Sequence, residues 1–575
     1  MRPQRRWTIR PLDMQRARRL ARRLDIPERL AEVLEARGLG DQDAAVRFLR
    51  PSLHDLTSPA RMKGMGRAVD RIVAALRRGE RITVWGDYDV DGVTSVAQLL
   101  LFLGELGFDA GHYIPSRVKE GYGLNTEALN RLAGQGTKLL VAVDCGISNH
   151  EQIDVATKAG MDVIVIDHHQ VPPRLPNAVA VLDPHQPECD FPNTDACAAG
   201  VTFYLLGGLR ARLRELGWFS DRDEPNLKKY LDLVALGTVA DMVPLTGENR
   251  ILVHFGLKEL QKSKRPGIAA LREKAGLGEH PIGTGQVAFR LAPRLNAAGR
   301  LGRADRALEL LVTDSYSRAL ELAEELDRTN DERQALEMRI LDEAMRQAER
   351  RVEMGDRALV LWSDEWHVGV IGIVASRLVE KYGRPVVLVA MEGDSGKGSA
   401  RSIDGVHIYE ALKGCSASLR QYGGHRAAGG LVVDRNNLEQ FRSDFIRQVV
   451  DQQGRGESPE LMLDGEAVPS LWDLDSVRSL EALQPHGLGN PEPVFLARNL
   501  EVRQARTVGR GTVEHLKLVV ADSRSTYDAI AFAMGYRLAQ ARGRIDVAYT
   551  PSVNEWEGGL SIQLVVKDFR PAEAR

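Results

Sequence analysis

Three apolar runs in this chain, RITVWGD, KLLVAVDCG and DVIVIDHHQ, each lead into an aspartate, and helical stretches separate them (SVAQLLLFLGELG after the first, NHEQIDVATKAG after the second). This alternation leaves few folds open. It predicts βαβ units, and therefore a parallel sheet covered by helices on both faces. The pattern continues through KYLDLVALGTVADMVPL to about residue 311. In such sheets ligands sit at the carboxyl ends of the strands, so the residues that follow each run are the ones to weigh.

Asp87, Asp89 and Asp91 follow the first run at every second position. Strand periodicity would point all three to one face, although Gly92 marks the start of a turn. Asp144 follows the second run, and Asp167, His168 and His169 follow the third. Asp241 follows LVALGTVA, read as a fourth strand end. Carboxylates set side by side raise one another's pKa unless a cation compensates them. Their oxygens suit Mg²⁺ or Mn²⁺, and added imidazole shifts the choice toward Mn²⁺ or Zn²⁺. The donors suffice for two ions, and two ions about 4 Å apart can clamp a phosphodiester. No Ser-His-Asp or Cys-His nucleophile motif competes, and no GxxxxGK[ST] loop points to ATP-driven chemistry.

At 575 residues the chain exceeds one core. Its net charge of −2 requires any nucleic-acid site to be a local basic groove. Four cysteines without a CxxC pair point to a reducing compartment. No apolar stretch reaches the roughly 18 residues of a membrane span, and no signal peptide is visible. The Arg-rich start continues into an ordinary amphipathic pattern and reads as a solvated helix face. Residues 1–78 read as a helical segment and 79–312 as the parallel-sheet domain. Residues 313–352 read as one connecting helix, since Asp314 to Val352 contains neither Pro nor Gly. A second, smaller α/β domain is expected over 353–452. After the polar linker DQQGRGESPE, five strand-like runs with a helical MGYRLAQARG between the third and fourth suit an OB barrel over 453–575.

DYDVDG, VDCG, DHH and ADMVPL resemble the four motifs of the DHH phosphoesterase superfamily, and GGHRAAGG resembles the glycine-rich motif of its associated C-terminal domain. HGLGNPEPVF and the OB-like tail resemble the single-strand-specific DNA exonucleases of that superfamily. The resemblance runs from about residue 45 onward. It implies metal ligands at Asp87, Asp89, Asp91, Asp144, His168 and Asp241, with Mn²⁺ or Mg²⁺ as cofactor in a two-metal site. It implies that His169 lies close to the metals or the scissile phosphate, and that Asp89, Asp144, His169 and His425 form the catalytic set. It places His425, with Gly423 and Gly424, across a cleft on the substrate phosphates. The implied activity is 5′→3′ degradation of single-stranded DNA to 5′ mononucleotides in recombination and repair, in the cytoplasm at nucleoid repair sites. The implied partners are single-strand-binding protein and a RecQ-type helicase, with no membrane.

Other residues extend the expected substrate path. Arg290, Arg294, Arg300 and Arg303 surround Asn296 and Gly299 and read as a phosphate-binding loop. Lys397, Ser399 and Arg401 in GKGSARS read as a phosphate cradle. Arg117 and Tyr122 would line the strand by charge and stacking. Two alternatives remain open at this point: the same chemistry on a small substrate (an oligonucleotide phosphodiesterase or pyrophosphatase), and an inactive single-strand-binding scaffold.

Overall fold

The computed structural model describes residues 5–302, 304–453, 460–509, 514–556 and 559–572. The expected linker lies largely outside them, as does Arg303. The chain forms two compact units. One comprises residues 56–453; the other joins residues 5–55 to residues 460–572.

The first unit opens with a wholly parallel five-stranded sheet. Its spatial order is Gly111–Tyr113, Ile82–Gly86, Leu139–Val143, Asp162–Ile166, Ala180–Leu182. Every residue of Ile82–Gly86 and Leu139–Val143 is buried, as expected of strands covered on both faces. Numbered along the chain, the order is 2-1-3-4-5, so the winding direction reverses between Ile82–Gly86 and Leu139–Val143. The crevice at the carboxyl ends of that pair is the topological switch point, where doubly wound sheets bind ligands.

Helix Tyr316–Glu353 leaves this domain as one element of 38 residues, about 57 Å long. The Ser315 hydroxyl caps its start, accepting from the Arg318 amide at 3.3 Å. Ile340, Ala344 and Ala348, from its second half, enter the core beneath the next sheet together with Leu359, Val374 and Leu388. That sheet is mixed. Leu359–Ser363 pairs parallel with Val386–Glu392, and Ser395–Arg401, Ala428–Asp434 and Gln421–Gly424 follow as antiparallel neighbours.

In the second unit, Phe495–Val508, His515–Ala521, Thr526–Ala531, Gly559–Pro571 and Arg544–Trp556 close into a barrel through pairing of the first with the last. The turn Gly535–Gln540 lies between the third and fourth strands in chain order, where the sequence predicts a helix in an OB fold. The N-terminal residues are divided differently from the expected 1–78 segment. Helix Met65–Arg78 belongs to the first unit, while strand Arg6–Ile9 and helices Met14–Leu24, Glu28–Ala36 and Gln42–Leu49 belong with the barrel. Strand Arg6–Ile9 pairs parallel with Glu460–Leu463, and Leu20, Leu30 and Leu34 share one core with Phe495, Leu516 and Tyr549. Arg37 locks the arrangement. It donates to both Asp464 oxygens at 2.8 and 3.0 Å and to Asn490 Oδ1 at 2.9 Å. Asn490 belongs to the HGLGNPEPVF motif, and it in turn donates to the Leu483 and Pro485 carbonyls.

The Arg37 and Asp464 side chains are only 9% and 4% exposed. Removing one member of such a buried pair costs about 3–5 kcal/mol. Arg37→Met should lower the barrel unit's calorimetric transition by roughly 6–20 °C. An unmoved transition would show that this network does not join the two ends of the chain.

Candidate metal centre and phosphate pocket

Strand Ile82–Gly86 ends at the switch point, and the backbone turns at once into helix Val90–Glu105. Asp87, Asp89 and Asp91 therefore occupy a turn and the first turn of a helix, not alternate positions of a strand. The turn is tight: a Cβ on Gly92 would meet the Asp87 backbone N and O at 2.7 and 2.6 Å. Asp89 is the N-cap, accepting from the Asp91 and Gly92 amides at 3.0 and 3.2 Å. Asp91 caps a different helix, Ala198–Glu215, through Oδ2 to the Ala198 amide at 2.7 Å and Oδ1 to the Ala199 amide at 2.9 Å. Asp144 follows strand Leu139–Val143 with a left-handed φ of 59°. Asp241 follows helix Leu231–Ala240, which corrects the expectation of a strand end. Leu231 to Val239 are all buried, and an apolar run of this kind does not distinguish helix from strand by periodicity.

His168 Nε2 lies among three carboxylates: 3.3 Å from Asp144 Oδ1, 3.7 Å from Asp91 Oδ2 and 3.7 Å from Asp241 Oδ2. It is buried, yet it makes no hydrogen bond; neither does Asp87 Oδ1. Three overlapping donor sets result: Asp87, Asp89 and Asp144; Asp91, His168 and Asp241; Asp144, His168 and His169. Within each, the donor atoms lie within 4.8 Å of one another. Burial pushes Asp87, Asp91 and Asp144 upward, and neighbouring carboxylates add to the rise. Burial and the Asp91 and Asp89 charges push Asp241 up to about 8. Burial holds His168 down, hence neutral and able to act as a ligand. Orphaned buried donors, mixed oxygen and nitrogen chemistry and uncompensated charge all fit divalent cations.

His169 is held differently. Asp167 Oδ1 takes its Nδ1 at 2.7 Å, and the same carboxylate accepts the His168, His169 and Ile147 amides. Burial opposes the imidazolium, but the Asp167 bond and charge prevail and bring His169 up to about 9. The Tyr122 hydroxyl donates to the Asp144 carbonyl at 2.9 Å and lies 3.3 Å from His169 Nδ1. In the sequence, neither Asp167 nor Tyr122 shows this orienting position.

The second α/β domain supplies the facing wall. Its glycine-rich motif is a hairpin turn, and the exposed His425 ring at its tip stacks on His169 with centroids 6.4 Å apart and planes at 20°. Gly424 is required by the turn itself (φ 140°), since a Cβ would meet the Ala428 carbonyl at 2.4 Å; Gly423 faces open space. Beside the acidic cluster is a basic one. Arg117 lies over the Tyr88 ring at 5.1 Å. Arg300 donates to the Gly369 carbonyl at 3.2 Å, and Arg401 to Ser399 Oγ at 3.0 Å. Burial brings Arg300 down to about 10, reinforced by the charges of Arg117, Arg333 and Arg401. Burial and Arg117 also lower Arg401. The positive charges of Arg117, Arg300 and Arg401 are thus close enough to act on one another.

The expected phosphate-binding loop is instead helix Ala292–Leu301, entered from a π-helical turn over Val287–Leu291. Arg294 is committed to Asp327 at 2.7 Å and to the Arg290 carbonyl. Asn296 Oδ1 accepts the Val90 amide at 3.1 Å, so it braces the aspartate turn. Arg333, on the long helix, escapes the sequence reading. Its signal is an apolar stripe interrupted by Asn330 and Glu337, both buried and both bonded to Arg333.

Family models match all three domains: the DHH family N-terminal domain over residues 81–238, the DHHA1 domain over 355–451 and the RecJ OB domain over 463–568. The fold is that of a DHH-type protein with an added OB barrel. The single-stranded-DNA-specific exonuclease RecJ of Salmonella typhimurium is 37% identical over 569 residues, covering 95% of this chain and 96% of that protein. The crystal structure of RecJ from Thermus thermophilus in complex with Mn²⁺ has a TM-score of 0.84 at 34% identity, covering 99% of this chain and 80% of that one. The Mg²⁺ complex of the same protein gives 0.78 at 33%, covering 99% and 79%. The chain belongs to the RecJ family.

An aspartate whose folded pKa exceeds its unfolded value binds its proton more tightly when folded. The stability it contributes is complete below the unfolded value near 3.8 and is lost as pH climbs through the folded value, about 8 for Asp241. In chelator-stripped protein at pH 8.5, Asp241→Asn should therefore unfold at least about 2 °C above the parent, and the gap should close by pH 4. Equal stabilities at both pH values would contradict the uncompensated charge.

Proposed function

We propose that this protein is a divalent-metal-dependent exonuclease that degrades single-stranded DNA from the 5′ end and releases 5′ mononucleotides. One observation carries the reading: a cluster of buried carboxylates with a neutral imidazole lies next to a separate group of arginines. The first suits a scissile phosphodiester, the second a terminal phosphate. The names of the relatives support single-stranded DNA as substrate, and their Mn²⁺ and Mg²⁺ complexes support those ions.

Asp87, Asp89 and Asp144 would hold one ion, and Asp91, Asp144, His168 and Asp241 a second. Bound there, divalent ions polarise a phosphate and lower the pKa of water. The chain's own groups do the rest. Asp167 keeps the His169 proton on Nδ1, leaving Nε2 to meet a phosphate oxygen as a charged donor. His425, pushed down by burial and by His169, remains neutral beside it. Arg117, Arg300, Arg401 and Ser399 would bind a terminal 5′ phosphate; Arg forks match that dianion bidentately. A 5′-end contact set one nucleotide from the site of cutting would give both the polarity and the mononucleotide product. Work alongside single-strand-binding protein and a RecQ-type helicase at nucleoid repair sites fits this activity and rests on the family resemblance. No helix among the described residues is long and apolar enough to cross a membrane.

The decisive assay is a time course with Mn²⁺ on a single-stranded oligonucleotide labelled separately at each end. A labelled mononucleotide should leave the 5′ end at once while the 3′-labelled strand shortens progressively. Mononucleotides released first from the 3′ label would reverse the polarity; no release from either end would favour a small-substrate phosphoesterase or a scaffold. Asp89→Ala should cut at least about 100-fold more slowly, the loss typical of one removed electrostatic stabiliser. Arg401→Ala should erase the preference for a 5′ phosphate over a 5′ hydroxyl. The expected change in that ratio is roughly 10- to 100-fold, from about 1.5–3 kcal/mol per charged hydrogen bond. An unchanged ratio would exclude Arg401 from binding the 5′ end.

A further inference from the structure

Helix Met14–Leu24 carries Arg16, Arg18, Arg19, Arg22 and Arg23 and no acidic residue. Ala17, Leu20 and Ala21 are buried, and all five arginines are exposed. At 100° per residue those arginines cover the arc opposite the buried face. Arg16 and Arg18 have only loose partners, Glu35 at 3.5 Å and Glu28 at 3.8 Å. Among the described residues, no carboxylate lies within ion-pairing distance of Arg19, Arg22 or Arg23. A solvated face ordinarily mixes signs, as helix Tyr316–Glu353 does. This single-sign face stands out in a chain of net charge −2, and it is built from Arg, the side chain suited to phosphate. It is also rigidly attached, because Leu20 and Ala21 enter the same core as the barrel strands.

We propose that the arginine face of helix Met14–Leu24 is a second, non-catalytic contact for the phosphate backbone of the single-stranded substrate. The inference rests on the single-strand reading above. The contact is sequence-independent and electrostatic, and its signature is salt dependence. For single strands, log K falls with log salt by about 0.7 per neutralised phosphate.

The test uses the full chain with chelator present, so that nothing is cut. Binding of an oligonucleotide of about 40 nucleotides is followed by fluorescence anisotropy across a salt series. The variants are Arg19→Gln/Arg22→Gln/Arg23→Gln and the corresponding triple Lys substitution, with circular dichroism to confirm folding. The Gln variant should lose about 2 units of slope and bind roughly 10- to 100-fold more weakly at low salt. The Lys variant should retain the slope. With Mn²⁺, cutting of an oligonucleotide of about four nucleotides should match the parent. A Gln variant with the parent's slope and affinity overturns the proposal; so does one that keeps both but no longer binds polyglutamate, which would mark an acidic protein partner. A parent that binds no oligonucleotide would overturn the single-strand reading itself and this inference with it.

Discussion

Asp87, Asp91 and Asp144 are buried beside one another, and their mutual repulsion is the constraint around which the catalytic domain is arranged. The fold relieves part of it without an ion. Asp89 sits at the N-terminus of helix Val90–Glu105 and Asp91 at that of helix Ala198–Glu215, where backbone amides and the helix dipole favour negative charge. The Asp167 carboxylate is satisfied by three amides and His169. What remains uncompensated converges on His168 Nε2, a buried nitrogen with nothing to bond. The chain thus offsets the charge that its backbone can reach and leaves the remainder in the donor sets around Asp87, Asp144 and His168.

Both α/β domains contribute to the site, and the basic side chains come from each of them. The parallel sheet delivers acids and imidazoles at its switch point. The mixed sheet delivers Ser399, Arg401 and His425, while Arg300 reaches across to the Gly369 carbonyl. Helix Tyr316–Glu353 belongs to both: its second half is core to the mixed sheet, and its half-buried Arg333 contributes to the positive field around Arg300. Its unbroken length therefore sets where Ser399, Arg401 and His425 stand relative to the acidic cluster.

Most of the strands and the long helix were legible because periodicity and the absence of Pro or Gly are local properties. Asp87, Asp89, Asp144 and His168 were legible because strand ends at a parallel sheet's rim are where ligands bind. Asp241 reads as a strand end and instead follows a helix, since a wholly buried helix and a buried strand look alike in sequence. Arg294 and Asn296 were the right residue types for phosphate, but Asp327 and the Val90 amide, which occupy them, are distant in the chain and carry no mark of it. The same limit hid the pairing of Arg6–Ile9 with Glu460–Leu463. Strand pairing across some 450 residues leaves no local signal.

That last pairing has a consequence for the order of events during synthesis. Chains fold from the N-terminus as they are made, domain by domain. Here the earliest helices, with Leu20, Leu30 and Leu34 on their apolar sides, have no core to enter until the barrel strands emerge. The parallel-sheet and mixed-sheet domains will have left the ribosome first. Until the barrel strands emerge, Leu20, Leu30 and Leu34 lack the apolar partners they have in the folded unit.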